Sequence, residues 1–351
     1  MTIGKSFLRV FMFTVVMNLV PACVEKEDTV DDFKEYNEKF PQSNELEIFV
    51  KKWHRDHFIG AKGAKIAYAA VGLNKHPRAN VIFIPGYTET YLLNAETIKT
   101  LSDANYNVYV LDHRGMGLSD SVGSNPKISH LESFDHFVED VNTFATLVKE
   151  KFIKDSKIPQ YMFAHSMGGL VALHYLQQHQ DNYQKVFFST PLFSVFLRGV
   201  PEFIVRSAAR YMTYFGFGNE LIIGHNRRTV ADIPPTISSV SSSKARLTKY
   251  TQLLTNRPKL FLWGPSYSWL NEVLKATDAI KEIAATIKTK TLILQADRDY
   301  YVSNQGHKAF CESAFHCRIE KIEGAKHEIF KEVNIFRHKA ERTLLNFFAE
   351  R

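Results

Sequence analysis

Short apolar runs rich in Val, Ile, Leu, Phe and Tyr recur along the chain, and they constrain its fold more than any other feature. The runs are Asn80–Ile84, Asn107–Leu111, Gln160–Ala164, Lys185–Phe188 and Thr289–Gln295. Each is apolar over consecutive positions rather than alternate ones, which is typical of strands buried on both faces of a parallel sheet. The sequence therefore predicts a mostly parallel central sheet.

Helical patterns lie between several of these runs, for example at Phe134–Phe152 and Gly169–Gln178. Alternation of strands and helices predicts an α/β fold in which right-handed crossovers flank the sheet with helices. Ile66–Val71 precedes the first run, and we interpret it as part of an antiparallel hairpin that leads into the sheet.

The alternation breaks between residues 191 and 280, where aromatic and basic residues and a run of serines appear without strand spacing. We interpret this segment, called the cap below, as a mostly helical insertion into a core formed by residues 48–190 and 281–351. The chain of 351 residues is 45% hydrophobic and 23% charged, which excludes a disordered chain, a collagen-like repeat and a protein with many membrane spans.

Residues 1–23 have the pattern of a signal peptide. Lys5 and Arg9 precede an apolar stretch, Val10–Val20, that is too short to span a bilayer. The segment ends in a sequence that resembles a bacterial lipobox, Leu19-Val20-Pro21-Ala22-Cys23. We therefore expect Cys23 to be lipidated and to become the mature N-terminus. The alternatives are an ordinary secreted protein cleaved nearby and an uncleaved anchor.

Residues 24–47 contain nine acidic residues and three lysines, without the apolar periodicity of a packed element. We interpret them as a solvated acidic tether. Val24, rather than Asp, follows Cys23, and by general bacterial pattern this indicates the outer membrane. The expectation is an exported lipoprotein that is anchored there and faces the periplasm.

The net charge of +7 is unevenly distributed along the chain. Ten basic and three acidic residues lie between Pro191 and Leu260, so this part of the cap carries an excess equal to that of the whole chain. Such a segment fits a surface that meets an anionic membrane, or simply a solvated basic face. We predict no nucleic-acid partner.

Cys311 and Cys317 are the cysteines of the predicted core. In an oxidising compartment they can form a disulfide, because six positions across a helix-to-strand turn permit the required approach. The alternative is two small buried apolar side chains.

The strongest motif for chemistry follows a predicted strand and opens a predicted helix: Ala164-His165-Ser166-Met167-Gly168-Gly169. A serine on a sharp strand-to-helix turn between small residues is a nucleophile elbow, usually Gly-x-Ser-x-Gly, and Ala164 here replaces the first glycine. Ser166 is thus the candidate nucleophile. The N–H of Met167, at the start of the helix, is a candidate donor to a developing oxyanion.

Candidate partners follow Ser166 in the chain order expected for this arrangement, an acid and then a histidine. Asp297 and Asp299 lie just past a predicted strand, and His327 follows the next strand, Arg318–Ile322. His327 is the candidate general base, and a carboxylate from the Asp297/Asp299 turn would orient its other ring nitrogen.

A second oxyanion donor is expected from the loop after an earlier strand, where Gly86 allows a close turn and the Tyr87 N–H points inward. The segment Asp112–Ser119 contains glycines but lacks the lysine and spacing of a nucleotide site, so we interpret it as a structural loop. His54 and His57 form a pair without a clear third zinc ligand. We predict neither a metal ion nor an organic cofactor.

Four motifs carry a family resemblance: Pro85-Gly86-Tyr87-Thr88-Glu89-Thr90-Tyr91, Asp112-His113-Arg114-Gly115-x-Gly117-x-Ser119, Ala164-His165-Ser166-Met167-Gly168-Gly169 and Gly324-Ala325-x-His327-Glu328. Together they resemble the bacterial lysophospholipase branch of the α/β-hydrolases, which is close to the monoacylglycerol lipases. In the latter a histidine usually precedes the oxyanion glycine. Pro85 stands in that place here and favours the lysophospholipase branch.

The resemblance implies an α/β-hydrolase fold, a triad of Ser166, Asp299 and His327, and an oxyanion hole formed by the amides of Tyr87 and Met167. The implied activity is hydrolysis of the carboxylic ester of monoacyl lipids, lysophospholipids first, through an acyl-enzyme. The alternatives are a monoacylglycerol lipase or general carboxylesterase, and a non-catalytic lipid-binding protein on the same scaffold.

In such a fold an insertion at the position of the cap lies over the nucleophile. We therefore expect the cap to shape the acyl pocket and to dock on lipid, where basic residues meet anionic head groups. Arg227 and Arg228 are the first candidates to contact the phosphate of a lysophospholipid.

Overall fold

A computed structural model describes four stretches of the chain: residues 43–195, 199–227, 229–232 and 239–350. The predicted signal peptide with Cys23, and residues 24–42 of the predicted tether, lie outside the described residues, as does Arg228. Lipidation and export, which depend on Cys23, stay predictions.

Strands of the described residues form one large sheet and one small pair. In chain order they are β1 (His54–Ile59), β2 (Lys65–Val71), β3 (Asn80–Ile84), β4 (Asn107–Leu111), β5 (Ile128–Ser129), β6 (Gln160–His165), β7 (Lys185–Ser189), β8 (Gly264–Pro265), β9 (Lys290–Ala296) and β10 (Cys317–Ile322). Within the described residues the large sheet has eight strands in the order β1-β2-β4-β3-β6-β7-β9-β10, and β5 pairs with β8. The pairs β1–β2 and β2–β4 are antiparallel, and the other pairs are parallel. The predicted mostly parallel sheet is confirmed.

Helices follow most of the parallel strands. In chain order they are α1 (Ser43–Lys51), α2 (Ala95–Asp103), α3 (Asp135–Lys151), α4 (Met167–His179), α5 (Glu202–Met212), α6 (Lys244–Asn256), α7 (Tyr267–Asp278), α8 (Ile280–Ala284), α9 (Asn304–Ser313) and α10 (Asn334–Ala349). The helices predicted at Phe134–Phe152 and Gly169–Gln178 correspond to α3 and α4.

Two apolar clusters bury the two faces of the large sheet. Ile82 of β3 packs in one cluster with Phe137 of α3, whereas its neighbour Val81 packs in the other with Leu344 of α10. Successive side chains of a strand point to opposite faces. A strand covered on both faces must therefore be apolar at consecutive positions, as the sequence indicated.

The predicted acidic tether was wrong over its last five residues. Residues 43–47 belong to α1, and Leu46, Phe49 and Val50 of this helix pack against the second apolar cluster. Phe49 also meets Trp53 edge to face, with ring centroids 5.6 Å apart. This short amphipathic helix was not recognised in the acidic sequence, because about two turns are too few for the helical spacing of its apolar residues to be evident.

The described residues of the cap are mostly helical, as predicted, but they are joined to the core at more than one place. The pairing of β5 with β8 connects residues 128–129 to the cap. Trp269 and Val273 of α7 belong to the first apolar cluster of the core. The last part of the cap is therefore an integral layer of the fold.

Cys311 and Cys317 form a disulfide in the structure, with their Cα atoms 5.0 Å apart. The bond connects the end of α9 to the start of β10, which is the helix-to-strand turn anticipated from the sequence.

Candidate active site

Ser166 occupies a sharp turn between β6 and α4. Its backbone has φ 51° and ψ −124°, a conformation that is strained for a residue with a side chain. A Cβ atom at Gly168 would lie 2.2 Å from the carbonyl oxygen of Pro85, and one at Gly169 would lie 2.5 Å from Cβ of Pro191. The elbow thus requires glycine at both positions, because the backbone of Pro85 and the ring of Pro191 pack directly against them.

Ser166, His327 and Asp299 form a continuous hydrogen-bonded chain. The Oγ of Ser166 lies 2.9 Å from Nε2 of His327, and Nδ1 of His327 lies 2.7 Å from Oδ2 of Asp299. Because a carboxylate can only accept, His327 carries its proton on Nδ1 and donates it to Asp299, which leaves Nε2 to accept from the hydroxyl of Ser166. This is the geometry of a nucleophile with an oriented base.

Asp299 is fixed by its own backbone as well as by His327. Its Oδ1 accepts hydrogen bonds from the N–H groups of Tyr301, at 2.8 Å, and Val302, at 2.9 Å. Burial tends to raise the pKa of Asp299, but the hydrogen bond and the electrostatic interaction with His327, together with these two N–H groups, hold that pKa below its ordinary value. Asp299 is therefore a carboxylate at neutral pH.

Asp297, the other candidate acid, is turned away from His327. It contacts Lys321 at 3.3 Å and accepts from the N–H of Gly324 at 3.2 Å, near the protein surface. The structure thus places Asp299, and not Asp297, beside the histidine.

The loop before Tyr87 is held from two sides. The carbonyl oxygen of Pro85 accepts from Nε2 of His113 at 3.0 Å, and the N–H of Gly86 donates to Oε2 of Glu89 at 2.5 Å. Both polar atoms of the peptide group between Pro85 and Gly86 are therefore bound, and the next N–H along the chain is that of Tyr87. The ring of Tyr87 packs on Trp269 of the cap, with centroids 4.6 Å apart.

Met167 is the first residue of α4. Its N–H has no preceding helical carbonyl to bind and lies at the positive end of the helix. The amides of Tyr87 and Met167 come from the two backbone segments that meet at Gly168, where a Cβ would contact Ile84 and Pro85.

The loop Asp112–Ser119 supports the Tyr87 loop, consistent with its interpretation as structural. The carboxylate of Asp112 accepts from the N–H of Tyr91 at 2.6 Å, the hydroxyl of Thr90 at 2.8 Å and the N–H of Leu118 at 2.8 Å. Complete burial raises the pKa of Asp112 to about 7, because desolvation outweighs these three hydrogen bonds.

A group of charged side chains beside Ser166, in which Glu89 and His165 are buried and Glu328 and Lys331 are half-buried, was not identified from the sequence. We call it the ionic cluster; it consists of Glu89, His165, Glu328 and Lys331. The ammonium of Lys331 binds both carboxylates, at 2.7 Å from Glu328, and Nε2 of His165 lies 3.2 Å from Glu328. One ligand atom from each of Glu89, His165 and Glu328 lies within 4.8 Å of the others. Lys331 already supplies a cation to both carboxylates, which disfavours a metal ion at that place.

Charge in the cap is more closely paired than its sequence suggested. Arg206 forms ion pairs with Glu202 and with Asp278, at 2.6 and 2.8 Å. Arg246 is buried against Glu96 of α2, at 2.9 Å. Asp278 and Glu96 lie outside the segment whose charge was counted. The excess positive charge of that segment is thus partly neutralised by neighbours that are distant in the sequence.

Arg227 is exposed, and its guanidinium lies 5.6 Å from the ring centroid of Trp263.

Within the described residues, the helices are too short or too polar to cross a bilayer.

Comparison with known proteins agrees with the fold and the motifs. A family profile described as serine aminopeptidase, S33, matches residues 75–334. Lysophospholipase L2 of Escherichia coli strain K12 is 28% identical over 311 residues, which cover 86% of this chain and 89% of that protein. A probable lysophospholipase L2 of Haemophilus influenzae is 25% identical over 306 residues, with 86% and 94% covered.

Solved structures show the same fold at lower identity. A crystal structure of a variant of monoglyceride lipase from Saccharomyces cerevisiae, in complex with a substrate analog, superposes with a TM-score of 0.64 at 18% identity. The superposition covers 84% of this chain and 94% of the lipase chain. The chain therefore belongs to the serine aminopeptidase S33 family, within the lysophospholipase and monoacylglycerol lipase branch of the α/β-hydrolases.

Proposed function

We propose that this protein is a serine hydrolase that cleaves the carboxylic ester of monoacyl lipids, with lysophospholipids as the first substrate class. The observation that carries the proposal is the chain from Ser166 through His327 to Asp299 at the carboxyl ends of the parallel strands, in a protein whose relative in E. coli is named lysophospholipase L2. No step of the reaction below requires a cofactor.

Each group has a role in the proposed reaction. Nε2 of His327 takes the proton of Ser166 as Oγ attacks the ester carbonyl, and the amides of Tyr87 and Met167 bind the resulting oxyanion. Collapse of the intermediate breaks the ester bond, and the proton on His327 passes to the leaving alcohol. A water molecule activated by His327 then hydrolyses the acyl-enzyme and releases the fatty acid and free Ser166.

A panel of lipid esters tests the proposal. Purified wild-type protein and Ser166→Ala are assayed on lysophosphatidyl lipids and monoacylglycerols with the same acyl chain, and on a short-chain ester. We expect hydrolysis by wild type, fastest on lysophosphatidyl lipids, and a loss of at least about 10⁴-fold in Ser166→Ala, because no neighbouring group replaces the nucleophile. Faster cleavage of monoacylglycerols would assign the alternative substrate class.

Labelling with a fluorophosphonate separates an enzyme from a lipid-binding protein on the same scaffold. The probe reacts with a serine only when a base and an oxyanion hole activate it. Wild type is expected to be labelled at Ser166, whereas the folded Ser166→Ala variant stays unlabelled. Absence of labelling in wild type would contradict the proposal.

We also propose that the protein acts at a membrane. Four aromatic side chains in and just after α5 are exposed, namely Phe203, Tyr211, Tyr214 and Phe215. Such side chains favour the interface between lipid and water, where the acyl substrate resides. Arg227 is the described candidate for contact with anionic head groups.

The lipobox-like segment supports an anchor at Cys23, with the outer membrane as the destination. Cys23→Ala is expected to abolish incorporation of a fatty-acid analogue and to release the protein from the membrane fraction of a bacterial host. Unchanged labelling in Cys23→Ala would exclude this anchor.

A further inference from the structure

The ionic cluster connects three loops that carry the proposed chemistry. Glu89 follows Tyr87 by two positions, His165 immediately precedes Ser166, and Glu328 immediately follows His327. Each proposed catalytic segment therefore contributes a close sequence neighbour to the cluster, and Lys331 joins two of these segments through its bonds to Glu89 and Glu328.

Glu89 uses both of its carboxylate oxygens. Oε1 accepts from Lys331, and Oε2 accepts from the N–H of Gly86 at 2.5 Å. Glu89 is 4% exposed and the side chain of Lys331 is 20% exposed, so these bonds are screened by salt less than an ion pair at the surface. A shift of this carboxylate would move the peptide group before Tyr87, and with it the amide proposed to bind the oxyanion.

Charges of both signs meet in the cluster. Nδ1 of His165 faces the carbonyl oxygen of Ser189 at 3.1 Å, and Nε2 faces the carboxylate of Glu328. Both partners are acceptors, and the hydroxyl of Thr190 also lies 3.3 Å from Nδ1, so the two acceptors favour a proton on each ring nitrogen. Burial tends to lower the pKa of His165, but the negative charges of Glu328 and Glu89 outweigh it and raise that pKa. With His165 protonated, two cations face two anions.

We propose that Lys331 is a positioning residue that, through Glu89, sets the Tyr87 amide relative to His327. This inference rests on the proposed function, because it assigns Lys331 to the geometry of that reaction. Lys331 touches no reacting atom in this assignment. Its effect on the transition state is exerted through the position of the oxyanion loop.

Four variants and one control test the inference. Lys331→Met and Glu89→Gln each remove one charge, the double variant restores the electrical balance, and Lys331→Arg keeps the charge. Lys321→Met is the matched control, since Lys321 forms ion pairs with Asp297 and Glu323 at the surface of the same sheet edge. For each variant, kcat and KM for ester hydrolysis and the rate of fluorophosphonate labelling are measured, with circular dichroism as the check of folding.

We expect Lys331→Met and Glu89→Gln to lower kcat by about 10-fold to 100-fold, as small displacements of catalytic groups do, with KM within about threefold of wild type. The double variant should lose less than the product of the two single losses, because both act on one interaction. Lys331→Arg should lie closer to wild type than Lys331→Met, and Lys321→Met should retain wild-type kcat.

A folded Lys331→Met or Glu89→Gln variant with unchanged kcat, or with a loss confined to KM, would overturn the inference. Fully multiplicative losses in the double variant would overturn the coupling. If Lys331→Met does not fold, Glu89→Gln and the balanced double variant decide. If wild type hydrolyses no monoacyl lipid ester, the proposed function fails, and the labelling rates still test whether Lys331 positions the loop.

Discussion

Charged side chains at the catalytic edge of the sheet and charged side chains in the cap are held in different ways. At the edge, the side chain of Asp299 is 1% exposed and that of Lys331 is 20% exposed, and each is bound by a group from another loop. In the cap, the side chain of Arg206 is 29% exposed and its two acidic partners are more exposed still. Geometry therefore depends on charge at the edge, whereas in the cap charge mainly sets the character of a surface. Arg246 is an exception, because it belongs to the cap but is buried and paired like the charged groups at the catalytic edge.

The two aspartates after β9 offer the sharpest test at the catalytic edge. Asp299→Asn is expected to lower kcat by about 10⁴-fold, because an amide no longer holds His327 in the required tautomer. Asp297→Asn, which loses only a surface contact with Lys321, should stay within about twofold of wild type. Steady-state kinetics on the best ester of the panel measures both, and a greater loss in Asp297→Asn would show that the acid is misassigned.

Arg246 tests whether the cap has a structural charge of its own. Its guanidinium binds Glu96, the carbonyl oxygen of Glu332 and the side chain of Asn334. Arg246→Met leaves the carboxylate of Glu96 largely buried without this partner, and we expect it to lower the free energy of unfolding by about 3 kcal/mol.

Urea denaturation measures that loss, with Lys244→Met in the same helix as the control. Lys244 is exposed, so its replacement should change the free energy of unfolding by less than about 0.5 kcal/mol. Equal effects of the two substitutions would mean that Arg246 is no more structural than the rest of the cap.

The exposed aromatic residues should have the smallest effect, and only where lipid forms a surface. A Phe203→Ser, Tyr214→Ser double variant is expected to lower activity on anionic vesicles about threefold to tenfold, with no change on a dissolved short-chain ester. Arg227→Ala should weaken vesicle binding in the same direction, and more at low salt than at high salt. Flotation with vesicles measures binding, and Ile335→Ser, which alters an exposed apolar residue of α10, is the control. Equal losses on vesicles and on the dissolved ester would contradict a docking role.

The sheet, the elbow and the order of the site residues were predictable because each has a local signature. Consecutive apolar residues marked the strands, and small residues around Ser166 marked the turn. The choice between Asp297 and Asp299 was not local, since it depends on how the turn after β9 is folded; the family resemblance selected Asp299, and the structure places it beside His327.

Other features had no local signal at all. Lys331 meets Glu89 across 242 positions of the chain, and neither residue lies in a pattern that predicts the other. The excess positive charge at the surface of the cap was overestimated for the same reason. Glu96 and Asp278, which lie outside the segment whose charge was counted, neutralise part of it. Pairing across distant segments becomes visible only when the chain is folded.

The short pairing of β5 with β8 bears on how a substrate reaches Ser166. Ile128 and Ser129 join the strand Gly264–Pro265, and Trp269 follows within the packed core. An insertion attached to the core only at its two ends could move as one rigid piece. The cap, however, is also attached to the core between its ends by this strand pair. Movement of the whole cap would break the backbone hydrogen bonds of this pair and expose the buried Trp269. We therefore expect an acyl chain to reach Ser166 through small local displacements of side chains. The width of that passage would then limit both the entry of the lipid and the release of the fatty acid.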